Sequence, residues 1–352
     1  MEGIMRTQVG IDVNVKGLGV TFTCYDYGTF TEVYRLLDEH RDYLAGLGRY
    51  GIVVEYYPMV YTGRFVSLPF RLYIREFKYP WDYIEPILRI WVRAHRREIR
   101  DWQRIYRPKF KRMGRRVKHI VPGRSIDYIA GWSIEPRETR RLLKKLFRSS
   151  GLKYRVGDEI AEELVFIIRE YEAEWLERYK LAVKLMTSKV CHVISHLEEA
   201  VVKLEELRGI EEKYRECTKV GRMRWRYVTW LVCGGVSRGI SVGLVNPRGT
   251  SSKCPICGSQ LRTYGWEKKY CPTCRREWNR DAMAGVNISV KPVIEWLRRP
   301  EWRTPMKVKT RGGARMKTPT KDLMNTLGPA GYPGVTSWAL PELPSGHHIE
   351  GL

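Results

Sequence analysis

Four cysteines form two Cys-x-x-Cys pairs, Cys254 with Cys257 and Cys271 with Cys274, separated by thirteen residues. Thiolates are soft ligands, and two such knuckles can close a tetrahedron of sulfurs about 2.3 Å from a Zn²⁺ ion. Duplication at this spacing argues against two unrelated redox pairs. All four positions are sulfur and none is left open for a substrate, so the expected role of the zinc is structural. The stretch between the pairs, GSQLRTYGWEKKY, suits a short hairpin. Cys24, Cys191, Cys217 and Cys233 are scattered, and in a reducing cytosol they read as ordinary buried thiols.

The chain has 352 residues, enough for one large domain with insertions or for two smaller ones, and 43% are hydrophobic, enough for a real core. Sixty-three Lys and Arg oppose 39 Asp and Glu, a formal charge of +24. A chain this basic faces a polyanion, and nucleic acid is the commonest one. No run of about 18 apolar residues could span a bilayer, so no membrane partner is expected. The first ten residues lack a signal-peptide core, so the expected location is cytoplasmic.

Periodicity places elements around the cysteines. TQVGIDVNVKGLGVTFT, residues 7–23, reads as a strand and a returning strand. A short helix is expected over 35–48, then strands at GIVVEYY and FVSLPFRLYI. From Trp81 the pattern is helical and basic. Residues 89–118 carry thirteen Lys or Arg against two acids, with Trp91, Trp102 and Tyr106 interleaved, a pattern suited to phosphates and stacked bases. Helices are expected over 136–149 and 157–198, the second N-capped by Asp158 with Ile160, Leu164, Ile168, Tyr171 and Trp175 at helical spacing. AVVKLEEL and ISVGLV read as buried strands, with a helix near 222–236 between them. The sequence after Trp302 is rich in Pro, Gly, Thr and Lys and reads as a poorly ordered tail.

The flanks of the cysteines carry a more specific signal. LVNPRGTSSKCPICG followed by YCPTCRREWNRDAMAGVNI resembles the C-terminal core of the OrfB/TnpB family of transposon-associated nucleases, compact relatives of the type V CRISPR effectors. The matching residues are Pro247, Thr250, Ser251, the four cysteines, Asp281, Ala284, Asn287 and Ile288, with Asn279 and Arg280 just before the Asp. The family's first motif is matched by Gly10, Ile11, Asp12 and Asn14, and its second by VVKLEELRGI, with Glu205 and its neighbour Glu206. His192 and Ser195 fit a His-x-x-Ser pair on the preceding helix. The resemblance runs from about residue 188 to 290 and reappears at 8–22.

The resemblance implies an α/β protein with an RNase H-like (RuvC) core, helical basic insertions and an embedded four-cysteine zinc ribbon. It implies Asp12, Glu205 and Asp281 as the catalytic acids, holding Mg²⁺ or Mn²⁺. Hard cations prefer carboxylate oxygens, so three acids from distant segments must converge on one sheet edge. Two alternatives stay open. Asp127 competes with Asp12, although only about ten residues separate it from the next helix. Glu55, which also ends a strand, competes with Glu205.

The implied layout is a first part of the core over 1–34, a basic insertion over 35–155, and helices with the remainder of the core over 156–250. The zinc ribbon then occupies 251–276, the end of the core 277–300, and the basic tail 301–352. The first Asp stands at position 12 and the first two acids are farther apart than is usual in the family. The 35–155 segment is therefore expected to be an insertion or a rearranged nucleic-acid recognition lobe. The implied activity is Mg²⁺-dependent DNA endonuclease action, guided by RNA and associated with a mobile element, with DNA and a guide RNA as partners. The alternative is a nuclease-inactive RNA- or DNA-binding regulator of the same descent.

Overall fold

The structure, a computed structural model, describes residues 7–112, 123–206, 231, 234–235, 238–265 and 267–297. The expected helix over 222–236 lies almost entirely outside these residues, and the expected tail lies wholly outside them.

The described chain is a mixed α/β arrangement. Its strands are β1 (Thr7–Val13), β2 (Gly17–Cys24), β3 (Ile52–Tyr56), β4 (Val60–Tyr61), β5 (Val66–Ile74), β6 (Arg124–Ser125), β7 (Arg155–Val156), β8 (Ala200–Glu205), β9 (Ser241–Val245), β10 (Arg262–Thr263), β11 (Lys268–Cys271), β12 (Arg276–Asn279) and β13 (Val293–Leu297). Its helices are α1 (Tyr27–Glu39), α2 (Arg41–Ala45), α3 (Pro80–Ala94), α4 (Arg96–Arg112), α5 (Ile126–Ala130), α6 (Pro136–Ser149), α7 (Asp158–Ile194) and α8 (Arg280–Val290). Two expectations shift. The helix expected over 35–48 is replaced by α1, α2 and a 3₁₀ turn over Gly46–Tyr50. Gly157, not Asp158, occupies the N-cap of α7. The Asp158 carboxylate is instead turned to Arg124 Nε at 3.1 Å and the Gly123 amide at 3.3 Å.

The main sheet runs β13-β9-β8-β1-β2-β5-β3, with β4 paired to β5. β1 pairs antiparallel with β2, and β2 with β5, whereas β1–β8 and β8–β9 are parallel. The 35–155 stretch therefore does not stand wholly apart, because it supplies β3, β4 and β5 to the sheet. Strand alternation divides the sheet into two different faces. On one face Val9, Ile11, Val13, Leu18, Val20 and Phe22 join the large core that includes α7. Trp175 and Tyr179 of α7 stack at 5.2 Å, and their polar tips donate to Lys78 O and Val15 O, pinning the helix to the sheet. Cys24 and Cys191 are buried, and burial pushes their thiols up to about 12 and about 11, so both are inert packing groups.

The other face of β1 and β2 carries Gly10, Gly19, Thr21 and Thr23, and α8 lies directly on it. A Cβ at Gly10 would fall 2.1 Å from Gly285 O, and one at Gly19 would fall 2.5 Å from Asp281 O. Thr23 Oγ1 bridges Ser67 of β5 and Ser289 of α8, each at 2.7 Å, so the small face is held by hydroxyls. Lys203 of β8 donates to Ser289 O and Lys291 O at 2.7 and 2.6 Å, satisfying carbonyls at the end of α8. Burial pulls its ammonium down to about 8.

This contact sets a stability test. Gly10→Ala should push α8 off β1 and lower the unfolding free energy by about 1–3 kcal/mol, read from the urea midpoint. An unchanged midpoint would contradict the close approach.

Candidate functional site

Asp12 and Glu205 close neighbouring parallel strands. The β1–β8 register ends at Ile11 opposite Leu204, so Asp12 and Glu205 are the next residues of the two strands, about 4.8 Å apart in backbone spacing. Alternation from Gly10 and Lys203 turns both side chains to the α8 face. Asp281 arrives from above. It is the second residue of α8, 8% exposed, and sits against Gly19, the cross-strand partner of Asp12. The three acids therefore lie toward the same end of one sheet face.

Neighbouring residues fix their orientation. Asn279 caps α8 by accepting from the Asp281 and Ala282 amides at 3.0 and 3.2 Å, and the helix N-terminus favours the Asp281 carboxylate. Asn14 donates to Asp281 Oδ2 at 3.0 Å, while its own oxygen accepts from the Lys16 and Gly17 amides. Arg280 Nε donates to Asp281 Oδ1 at 3.1 Å. The Thr250 hydroxyl donates to Glu205, with Pro247 O 2.8 Å away as its alternative acceptor. The sequence pattern singled out Asn14, Thr250 and Arg280 without giving them roles. The distance of Asn14 and Thr250 from their acids along the chain hides those two contacts, whereas Arg280 adjoins Asp281.

The competing acids are engaged elsewhere. Glu55 lies on the α8 face but on β3, three strands from β1, and is paired with Arg71 at 2.8 Å. Arg71 is 9% exposed and also binds Glu267 at 3.1 Å, so Glu55 helps neutralise a buried guanidinium. Asp127 stands in the first turn of α5, paired with Arg140 at 2.7 Å.

The four cysteine sulfurs lie within 4.8 Å of one another. Cys254 and Cys274 are 3.9 Å apart and Cys257 and Cys271 3.5 Å, close to the roughly 3.8 Å edge of a zinc–thiolate tetrahedron. The donor set thus fits a structural zinc ion. β10, β11 and β12 form the small sheet beside it, and Leu261, Trp278, Met283 and Val286 pack the unit onto α8. Asn287 of α8 donates to Thr250 O and Lys253 O, both at 2.8 Å, tying the entry to the cysteine unit to the same helix that carries Asp281.

Among the described residues one further group brings three donor atoms within 4.8 Å, His40 with His192 and His196. The three acids are spaced more widely than that. The basic helices differ from their sequence reading. Trp91 is 6% exposed, stacked on His95 at 4.2 Å and bonded to Glu163, so it is core and not a platform for bases. Trp102 packs against Gly123 and Gly157. Arg93, Arg96, Arg97, Arg100 and Arg104 are exposed. Arg89, Arg93, Arg96 and Lys145 line a cavity of about 340 Å³ between α3 and α6.

The Asn287 clamp can be tested without any activity assay. Asn287→Ala would strip two carbonyls of their donor, costing about 1–3 kcal/mol and speeding amide exchange over 250–261. Unchanged exchange there would show that the clamp holds nothing.

A protein-family model described as "Cas12f1-like, TNB domain" matches residues 225–288, the stretch containing the cysteines and Asp281. Two curated relatives from Methanocaldococcus jannaschii are similar. TnpB-like protein MJ1635 is 32% identical over 116 residues, covering 32% of this chain and 27% of the relative. TnpB-like protein MJ0751 is 29% identical over 129 residues, covering 33% and 46%. The match thus spans less than half the length of either relative. Among solved structures, a Cas12f1–sgRNA–target DNA complex overlays with a TM-score of 0.29 at 18% identity, covering 39% of this chain and 43% of that one. CasPhi-2 (Cas12j) bound to crRNA and phosphorothioate DNA overlays at 0.31 and 14% identity, covering 80% and 44%. At those scores neither overlay carries the argument. The family model and the two curated relatives thus make part of this chain similar to TnpB-like and Cas12f1-like proteins, the stretch around the cysteines and Asp281 above all.

Proposed function

We propose that the chain is a metal-dependent DNA endonuclease with a RuvC-type site, guided by RNA and associated with a mobile element. The observation that supports this reading is the placement of Asp12, Glu205 and Asp281 toward one end of the α8 face. The strand order β5-β2-β1-β8-β9, antiparallel on one side of β1 and parallel on the other, supports an RNase H-like core around them. Residues 251–276 are assigned as a structural zinc ribbon held by Cys254, Cys257, Cys271 and Cys274.

A pair of Mg²⁺ or Mn²⁺ ions held here would activate water and stabilise the leaving oxygen of a phosphodiester. Such ions sit about 3.5–4 Å apart, so the acids flanking them need not be mutually close, consistent with their wider spacing. Asp12 and Glu205 provide neighbouring carboxylates from fixed strands, and Asp281 closes the site from the helix. Thr250 holds Glu205 and Asn14 holds Asp281, limiting the side-chain motion that would spoil coordination. No side chain is required as general base.

The exposed arginines of α3 and α4, with the cleft beside Lys145, are assigned to nucleic-acid backbone contacts. In this layout 35–155 is split. Its strands complete the sheet and its helices form the recognition lobe.

The Arg280 and Asn14 contacts that already occupy both Asp281 oxygens favour a second reading, a nuclease-inactive nucleic-acid-binding regulator. One experiment separates the two. The chain is purified with its co-bound nucleic acid, the RNA is sequenced, and DNA cleavage is assayed in Mg²⁺. The nuclease reading expects bound RNA and a fall of about 10³-fold or more for Asp281→Ala, with Glu55→Gln and Asp127→Asn active. Bound RNA without cleavage supports the regulator. Absence of RNA together with identical behaviour of wild type and Asp281→Ala would sink both guidance and the site.

A further inference from the structure

His192 stands in the last turn of α7, His196 follows just past its C-cap Ser195, and His40 comes from the α1–α2 junction to face them. Their candidate ligand nitrogens all lie within 4.8 Å of one another. We propose that His40, His192 and His196 form a second transition-metal site, a three-imidazole centre suited to Zn²⁺, with its fourth position open to water or an anion.

The geometry of the rings supports this. Three imidazoles on one tetrahedral ion with metal–nitrogen bonds of about 2.0–2.1 Å have ring centroids roughly 5 Å apart. The observed separations are 4.7 Å for His192–His196, 4.9 Å for His40–His196 and 5.9 Å for His40–His192. Their interplanar angles of 85°, 54° and 62° are those of rings converging on a point and not of a stack.

Two of the three tautomers are also set, those of His40 and His196. His40 Nδ1 lies 2.9 Å from Leu36 O, and His196 Nδ1 lies 2.9 Å from His192 O. A carbonyl can only accept, so both Nδ1 atoms carry protons and both Nε2 lone pairs are left for a ligand. This backing of ligand imidazoles by carbonyls is the usual outer support of protein metal sites. Ser195 donates to the same His192 O at 2.7 Å, fixing the turn that bears His196. Imidazole sets favour Zn²⁺, Cu²⁺ and Ni²⁺ over Mg²⁺, so this centre would not compete for the ions assigned to the acids. None of the three histidines belongs to the cysteine unit or the acid cluster, so the inference is independent of the proposed activity.

The test counts metal. The full-length chain is saturated with ZnCl₂, desalted and analysed for zinc per mole of protein, alongside His192→Ala and His40→Gln, with circular dichroism to verify folding. The wild type should hold a second equivalent of zinc beyond that of the cysteines, and each folded variant should lose that equivalent alone. Loading with Co²⁺ separates the sites by spectrum. The thiolate charge-transfer band should persist in the histidine variants while the weaker visible bands of the nitrogen site disappear. A wild type holding no second equivalent, or a second equivalent retained in both variants, would overturn the proposal.

Discussion

Everything at the candidate site depends on how closely α8 approaches β1 and β2. A helix with ordinary side chains beneath it stands about 10 Å from the layer it packs on, too far for a first-turn aspartate to share a site with strand carboxylates. Gly10, Gly19 and Gly285 remove that spacing, to the point where a Cβ at Gly10 or Gly19 would overlap a backbone oxygen and one at Gly285 the Thr21 hydroxyl. The approach sacrifices apolar burial on this face, and hydroxyls recover part of it through the Ser67–Thr23–Ser289 chain. Core stability comes from the opposite face, where α7 packs on Val9, Ile11, Val20 and Phe22. The sheet thus divides its labour, with one face built for cohesion and the other for proximity.

The cysteine unit belongs to this arrangement through covalent and polar links. β12 runs into Asn279, which caps α8, and Asn287 of the same helix grips the backbone that enters the first cysteine pair. Thr250 lies at that entry and touches Glu205. A metal-stiffened loop placed there would brace two of the three acids at once. A metal held by the four cysteines would therefore stiffen the chain between Glu205 and Asp281.

Local chemistry was legible in the sequence, whereas long-range pairing was not. The spacing of Cys254 to Cys274 predicts a cluster, and α6 matches its expected bounds, because both are decided by neighbours along the chain. That 35–155 would supply β3 and β5 was not visible, since antiparallel pairing of Val20 with Phe70 leaves no local mark. Trp91 and Trp102 illustrate the same limit. A basic helix looks like an exposed one, yet Trp91 is buried and bonded to Glu163 of α7, and Trp102 is half-buried against the glycines at 123 and 157. His40 gives no hint of its partners, which lie more than a hundred residues away. Glu55 shares strand chemistry with Glu205, and its separate role becomes clear only through Arg71.

The central claim is that Asp12, Glu205 and Asp281 jointly hold divalent metal. Anomalous diffraction from a crystal soaked in Mn²⁺ tests it directly, because Mn²⁺ takes the same hard oxygen ligands as Mg²⁺ and scatters anomalously. The account predicts peaks bounded by these three carboxylates, with none at Glu55 or Asp127. A saturated crystal with no peak there, or with its peak at Glu55, would contradict it.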